Sequence, residues 1–356
     1  MTLAESQKPI VGVTMGDSTG IGPEVIVRAW ADRGLHELVR PFVIGHPAIM
    51  RRAVYLFQRD LHVVEIDSVA DLDSLTPARG TMPCLGACSD EVLAAPIGCV
   101  DARAGGAAYQ AVRRAADLAL AGEIDAIVTA PLSKAALHAA GHHYPGHTEL
   151  LAEICGVSDF GMMLYLSRER GAGSRERGDE NGVPSALGVV HVTLHQSLRS
   201  VFADLSSDAI LAKCRLIDGV IRRLGVDAPR LAVCALNPHA GEDGLFGDEE
   251  RTIIAPAVEA ARRSGINAAG PFPTDTLMGR AAAGEFDAVV AMYHDQGHIA
   301  IKLLGMHRAV NITLGLPIVR TSVAHGTAFD RAWQGTARTE GMVAAIETAA
   351  RLSMNR

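Results

Sequence analysis

Arg230-Leu231-Ala232-Val233-Cys234-Ala235-Leu236 runs straight into Asn237-Pro238-His239-Ala240-Gly241-Glu242, and this stretch decides the fold. An apolar run without alternation reads as a strand buried on both faces, the kind found in parallel sheets covered by helices. It ends abruptly in a polar turn that delivers a histidine. The same event recurs at Asp287–Met292, which leads into Tyr293-His294-Asp295-Gln296-Gly297, and at Gly188–Thr193, which leads to His195. Three imidazoles at strand ends, among oxygen-rich turns, suit a divalent metal used in catalysis.

Working outward, short apolar runs alternate with longer amphipathic ones. Further strands are expected at Pro9–Thr14, Pro41–Gly45, Asp125–Ala130, Gly161–Leu166 and Ala309–Thr313. Helices are expected at Pro23–Ala31, Ala104–Ala121, Ser207–Leu224, Glu249–Arg263 and Met342–Leu352. Ala108, Val112, Ala115, Ala116 and Ala119 share one face of the second of these, the 3.6-residue period. The class is therefore α/β with a largely parallel sheet. At 356 residues, two domains are the default expectation.

Composition narrows the function. Net charge is −7, so nothing draws the chain generally to nucleic acid or anionic membranes, and an anionic substrate needs a local basic pocket. The longest apolar runs fall short of a membrane span, and Met1–Lys8 lacks the pattern of a secretory signal. The six cysteines form no CxxC pair, and Cys234 reads as a small core residue. A cytoplasmic location is the expectation. Residues 167–184 contain SRERG twice and read as an exposed excursion between strands.

Other segments have two readings each. Met15-Gly16-Asp17-Ser18-Thr19-Gly20-Ile21-Gly22-Pro23-Glu24 is a tight strand-to-helix turn, but its spacing matches neither dinucleotide nor P-loop fingerprint. It is a structural turn beside the active cleft or a direct phosphate contact. His147 and Thr148 either open a helix, with Thr148 as its cap, or face an anion at the helix start. Asp275 caps a helix or offers an oxygen to the metal. Lys302, Asn311 and Arg320 follow the last histidine turn and could hold a carboxylate or phosphate. His325-Gly326-Thr327-Ala328-Phe329-Asp330 is a small-residue loop that a flat ring could approach closely.

Taken together, TMGDSTGIGPE, DAIVTAPLSK, PGHTE, LNPHAGEDGLFG, PFPTDT, AMYHDQG, VNITLGLPIVRTS and HGTAFD resemble the 4-hydroxythreonine-4-phosphate dehydrogenase family, across residues 14 to 330. The resemblance implies an α/β fold like the isocitrate and isopropylmalate dehydrogenases, with two α/β domains flanking an active-site cleft. The partition it implies is 1–134 with 296–356 for the first domain and 135–295 for the second, with the site completed in a homodimer. The family's metal ligands fall on His195, His239 and His294. Its substrate contacts fall on His147, Thr148, Lys302, Asn311 and Arg320, with Lys302 as the catalytic candidate. His325, Gly326, Thr327, Ala328 and Asp330 match an adenosine loop, which implies NAD or NADP; Ala324 stands where the family often has aspartate. The implied metal is Zn²⁺, with Co²⁺, Mn²⁺ or Mg²⁺ as alternatives. The implied reaction is oxidation of a phosphorylated four-carbon hydroxy acid to a 3-oxo acid that decarboxylates. The substrate is 4-hydroxythreonine 4-phosphate or D-threonate or D-erythronate 4-phosphate. HDQGHIAIKLLG looks closer to the D-threonate and D-erythronate branch, and VHVTLHQSLRS is similar to a branch acting on the cis-dihydrodiol of terephthalate. A metal- or sugar-phosphate-binding protein without catalysis is the competing expectation.

Overall fold

The computed structural model describes residues 7–57, 60–75, 80–167 and 186–355. Most of the expected 167–184 excursion lies outside the described residues. Twelve strands are found among the described residues. They are β1 (Ile10–Thr14), β2 (Arg40–Gly45), β3 (His62–Ile66), β4 (Thr81–Gly86), β5 (Ala126–Thr129) and β6 (Gly161–Leu166). Then follow β7 (Leu187–His191), β8 (Leu231–Cys234), β9 (Ala268–Phe272), β10 (Ala288–Ala291), β11 (Val310–Leu314) and β12 (Val319–Val323). The helices that matter for the site are α1 (Gly22–Trp30), α2 (Ala102–Leu120), α3 (His147–Ile154), α4 (Thr274–Ala282) and α5 (His294–Gly305).

Two compact units divide the chain, one from residues up to Phe160 with Leu316–Met354, the other Gly161–Gly315. The first has strand order β3-β4-β2-β1-β5-β12, with the registered pairs all parallel. Val11, Val13, Ile127 and Val128 are fully buried, as strands covered on both faces require. α2 lays Ala111, Val112, Ala115 and Ala116 into the core with Phe42, Ile44 and Ile127. Leu150 and Leu151 of α3 join this same cluster. Segment 135–160 therefore packs with the first unit, although the sequence partition grouped it with the second.

The second unit has order β11-β6-β7-β10-β8-β9. β7, β10, β8 and β9 run parallel; β6 is antiparallel to both β7 and β11. Since β11 pairs along β6 from Val310↔Tyr165 to Leu314↔Gly161, residues up to 315 complete this unit rather than the first. β9 was not expected as a strand, because Gly270 and Pro271 interrupt its pattern. At the sheet edge Pro271 withholds no needed ladder donor. The expected helix 249–263 is in fact a wide turn, Glu250–Ile254, followed by an α-helix, Ala255–Arg263. Pro256 has no N–H to give to the preceding turn, so the ladder opens there.

Candidate active site

In the second unit, β10 lies between β7 and β8, all parallel and in register (Val289↔Val189, Val289↔Ala232). His195, His294 and His239 follow the carboxyl ends of these three neighbouring strands, where open α/β sheets bind ligands. The first two turns are joined directly: Val192 N–H donates to Ala291 O (2.8 Å), and the Thr193 hydroxyl to Met292 O (2.8 Å). The His195 and His294 rings lie 5.8 Å apart between centroids. They border a cavity of about 570 Å³ lined also by Ser197, Tyr293, Asp295 and the apolar Leu198 and Val201.

His294 Nδ1 is 2.7 Å from Asp295 Oδ1, which leaves Nε2 as the ring's free coordinating atom. A carboxylate on the remote ring nitrogen is how metal-ligating histidines are ordinarily oriented. His239 stands apart. Its side chain is 68% exposed, with Nδ1 4.0 Å from Glu242 Oε2 and its ring 6.2 Å from that of Phe246. Among the described residues no three histidine, cysteine or acidic side chains converge as a ready metal cage. Two imidazoles plus neighbouring carboxylates nevertheless match the donor preference of Zn²⁺, Co²⁺ or Mn²⁺. The donor set fits such an ion, with His239 on the adjacent strand end as the third candidate.

The His239 turn has unusual geometry. His239, Ala240, Gly241, Glu242 and Asp243 all have positive φ, from 44° to 82°. That conformation costs about 1–2 kcal/mol for each residue bearing a Cβ. Glu250, nearly fully buried, anchors the turn's entrance: its Oε1 accepts from Leu236 N (2.8 Å) and Asn237 N (2.7 Å), and its Oε2 from Asn237 Nδ2 (3.0 Å). Burial opposes its charge, yet these hydrogen bonds prevail and hold the carboxyl below its ordinary value.

Behind His294 lie two histidines that the sequence did not mark as a pair. His298 stacks on His294 (3.8 Å, 13°), and its Nδ1 is 3.1 Å from His191 Nε2. Burial first, then the neighbouring imidazoles, push His191 down to about 3 and His298 down to about 4, so both are neutral at physiological pH. Gly297 must be glycine here, because a Cβ would come within 2.4 Å of His191 Nε2. Lys302 is half-buried two turns along α5. Asn311 on β11 has a buried Oδ1 with no hydrogen-bond partner among the described residues. Asp275 sits exposed in the first turn of α4, one residue past the helix start, so the end-capping role does not fall to it.

In the first unit, Arg320 on β12 is 1% exposed and donates from Nη2 to Thr129 Oγ1 at 2.6 Å. Burial pulls its guanidinium down to about 9, partly offset by Glu149, so it stays cationic at neutral pH. His147 begins α3; its Nε2 is enclosed, and burial together with Arg320 holds the ring well below its ordinary pKa. The cap of α3 is Gly146, without a side-chain bond, so Thr148 does not serve as the cap. Thr129, on β5, is the polar residue sequence reasoning missed; only its register opposite Ser322 and its bond to Arg320 reveal it.

The glycine-rich turn after β1 and the 325–330 loop form one assembly. Ile21 N–H donates to Thr327 O (3.0 Å), and Trp333 Nε1 to Ser18 O (2.9 Å). A Cβ on Gly20 would meet Thr327 O at 2.9 Å. His325 and Thr327 are half-buried, Gly326 and Asp330 exposed, and Ala328 left-handed with φ 43°. Ser18 and Thr19 are themselves buried, which favours the structural reading of the first turn.

Asp17 is fully buried: Oδ1 accepts from Thr19 N and Oγ1, while Oδ2 has no hydrogen-bond partner among the described residues. Burial raises its pKa. The folded state then binds its proton more tightly than the unfolded chain, so stability falls as pH rises from the unfolded value through the folded one. Asp17→Asn keeps the acceptor and removes the buried charge. Its melting temperature is expected to exceed wild type at pH 8 and to match it near pH 4; equal melting temperatures at pH 8 would refute the assignment.

Two α/β units, parallel in the first and mixed in the second, place an imidazole cluster at the strand ends of one and a buried arginine and a glycine-built loop in the other, the layout of an α/β enzyme. The chain belongs to the PdxA family, pyridoxal phosphate biosynthetic protein, whose profile matches residues 37–349. It is 44% identical over 350 residues to a D-threonate 4-phosphate dehydrogenase of Salmonella typhimurium, covering 96% of this chain and 98% of that one. The crystal structure of a 4-hydroxythreonine-4-phosphate dehydrogenase from Klebsiella pneumoniae matches with TM-score 0.83 and 42% identity, over 98% of each chain. A terephthalate 1,2-cis-dihydrodiol dehydrogenase from Burkholderia xenovorans matches more distantly, with TM-score 0.63 and 29% identity over 97% of this chain and 98% of that one. The chain is an oxidoreductase, and the expected α/β dehydrogenase fold is borne out.

Proposed function

We propose that this enzyme oxidises a secondary hydroxyl of a phosphorylated four-carbon hydroxy acid, with NAD as acceptor, to a 3-oxo acid that decarboxylates. The single observation that carries the reading is the placement of His195, His294 and His239 at the ends of three adjacent parallel strands. When bound there, a divalent ion, Zn²⁺ first among the candidates, supplies Lewis acidity toward the substrate hydroxyl and the enolate left by decarboxylation. NAD, when bound, accepts the hydride; the loop formed by His325, Gly326, Thr327, Ala328 and Asp330 would hold its adenosine.

The chain's own side chains do the rest. Arg320, preset by Thr129, presents a charged donor to the phosphate or carboxylate, and Thr148 adds a hydroxyl. His147, kept neutral by burial and by Arg320, can donate or accept without repelling that arginine. Asn311 orients the polar end of the substrate. Lys302, as the neutral amine, would take the hydroxyl proton at Nζ and become the ammonium. The relatives named for D-threonate 4-phosphate and for 4-hydroxythreonine 4-phosphate are about equally similar, so both substrates belong to the reading.

A homodimer completes the proposal. Ile299 and Leu303 on α5 and Met306 just past its end are 57%, 83% and 52% exposed, and Leu198 and Phe202 are also exposed. An apolar stripe at this spacing on the helix that carries His294 is suited to burial against a second copy. Six unpaired cysteines suit a reducing cytoplasm. Among the described residues no helix is long and apolar enough to cross a membrane.

The test is NADH formation with 4-hydroxythreonine 4-phosphate, D-threonate and D-erythronate 4-phosphates and a terephthalate dihydrodiol, each with and without added Zn²⁺ or Co²⁺. Turnover of a phosphorylated acid that a chelator abolishes supports the reading. Turnover of the dihydrodiol alone, or of none, overturns it.

A further inference from the structure

Gln296 sits in the first turn of α5 and makes three hydrogen bonds to three different segments of the second unit. Its Oε1 accepts from Met292 N at 2.7 Å. Its Nε2 donates to Ala235 O at 2.7 Å and to Thr274 Oγ1 at 3.0 Å. The Thr274 hydroxyl lies 3.4 Å from that same Ala235 carbonyl and closes the ring. Met292 stands two residues before His294, Ala235 four before His239, and Thr274 one before Asp275. One amide therefore touches every turn on the β8 and β10 side that bears a metal-ligand candidate.

The chemistry is restrictive. A primary amide offers two donors and one acceptor group, and here both faces are engaged. Glutamate has no donor for Ala235 O, and would set a carboxylate against a carbonyl. Methionine keeps the volume and loses all three bonds. Gln296 is also the side chain that joins the β8 end to the β10 end beyond the point where the register stops, since β10 pairs β8 only through Val290↔Val233. Past that point the two turns need a tether, because His239 lies in a left-handed segment with its ring largely in solvent.

We propose that Gln296 is a positioning residue for metal binding: it clamps the Ala235, Met292 and Thr274 turns into one frame and so sets the separation of His239 from His294. This rests on the metal reading above. Outer groups of this kind are typically worth about 10–100-fold in metal affinity.

The test uses the full-length chain and Co²⁺ as the probe, followed by its visible d–d absorption. Gln296→Glu and Gln296→Met are expected to weaken Co²⁺ binding by at least about tenfold and to shift the band pattern. The metal-free melting temperature should fall by no more than a few degrees. A role in packing alone would lower the melting temperature and leave the affinity and spectrum unchanged; that result overturns the proposal while the metal reading stands. Wild-type chain that takes up no Co²⁺ overturns both. If neither variant folds, Thr274→Val removes one of the three bonds. A weaker, spectrally altered Co²⁺ site in that variant supports the clamp, and a wild-type site refutes it.

Discussion

His239→Ala is expected to strip the enzyme of retained metal and to lower kcat/KM by at least about 1000-fold, about 4 kcal/mol of transition-state stabilisation. The fold should survive. The ring is mostly exposed, its polar neighbour Glu242 lies at 4.0 Å, and alanine tolerates the local φ of 52° no worse than histidine does. The loss would therefore be one of chemistry and not of folding. Metal content after dialysis, circular-dichroism melting and NADH formation separate the two. A variant that keeps its metal and its rate would remove His239 from the site. His195→Ala is a weaker test, because that turn is tied to β10 and damage there would mix stability with catalysis.

Arg320→Met should raise KM for the phosphorylated substrate by about 100-fold, about 2.7 kcal/mol, with a smaller effect on kcat. A charge-assisted fork to phosphate or carboxylate is worth roughly 1.5–3 kcal/mol per bond, and methionine retains only the volume. Stability should move the other way or scarcely at all. Burying a guanidinium costs the fold, as its pKa of about 9 records, and an apolar replacement of similar size relieves that cost. The Thr129 hydroxyl loses its partner, which returns about 1 kcal/mol of the gain. Arg320→Lys keeps the charge but loses the fork, so its KM should fall between the two. A wild-type KM in Arg320→Met with a lowered melting temperature would make this arginine a structural residue.

Much of the architecture was legible because it rests on continuous apolar runs. β1, β2, β6, β8, β10 and β11 fall within about a residue or two of their expected bounds, the usual uncertainty at element ends. β3, with polar His62 and Glu65, β4, with Pro83, β9, with Gly270 and Pro271, and β12, with Arg320, Thr321 and Ser322, were not among the expected strands. β3 and β9 end the sheet order, where the pattern answers to solvent on one side, while proline or polar residues interrupt the apolar run in β4 and β12. The break at Pro256 was visible as a residue but not as a wide turn, since that depends on how Glu250 holds Leu236 and Asn237.

The site divides along the same line. His195, His239 and His294 could be read as strand-end residues, and Arg320, His147 and Asn311 as candidates for an anion. What surrounds them could not. Thr129 looks like any strand threonine until parallel pairing of β5 with β12 brings it to Arg320. His191 and His298 are 107 positions apart and meet only because α5 packs back on β7. Gln296 looks like one more polar residue of a turn until its amide is seen to reach Ala235, 61 positions away.

The chain by itself determined the strands built on continuous apolar runs, that they run mostly parallel, and which residue types end them, because burial on both faces writes itself into composition. Only the tertiary structure decided strand order, with β10 between β7 and β8, and the partners of each polar side chain. Those depend on contacts between residues far apart in sequence, and no local pattern encodes a distance.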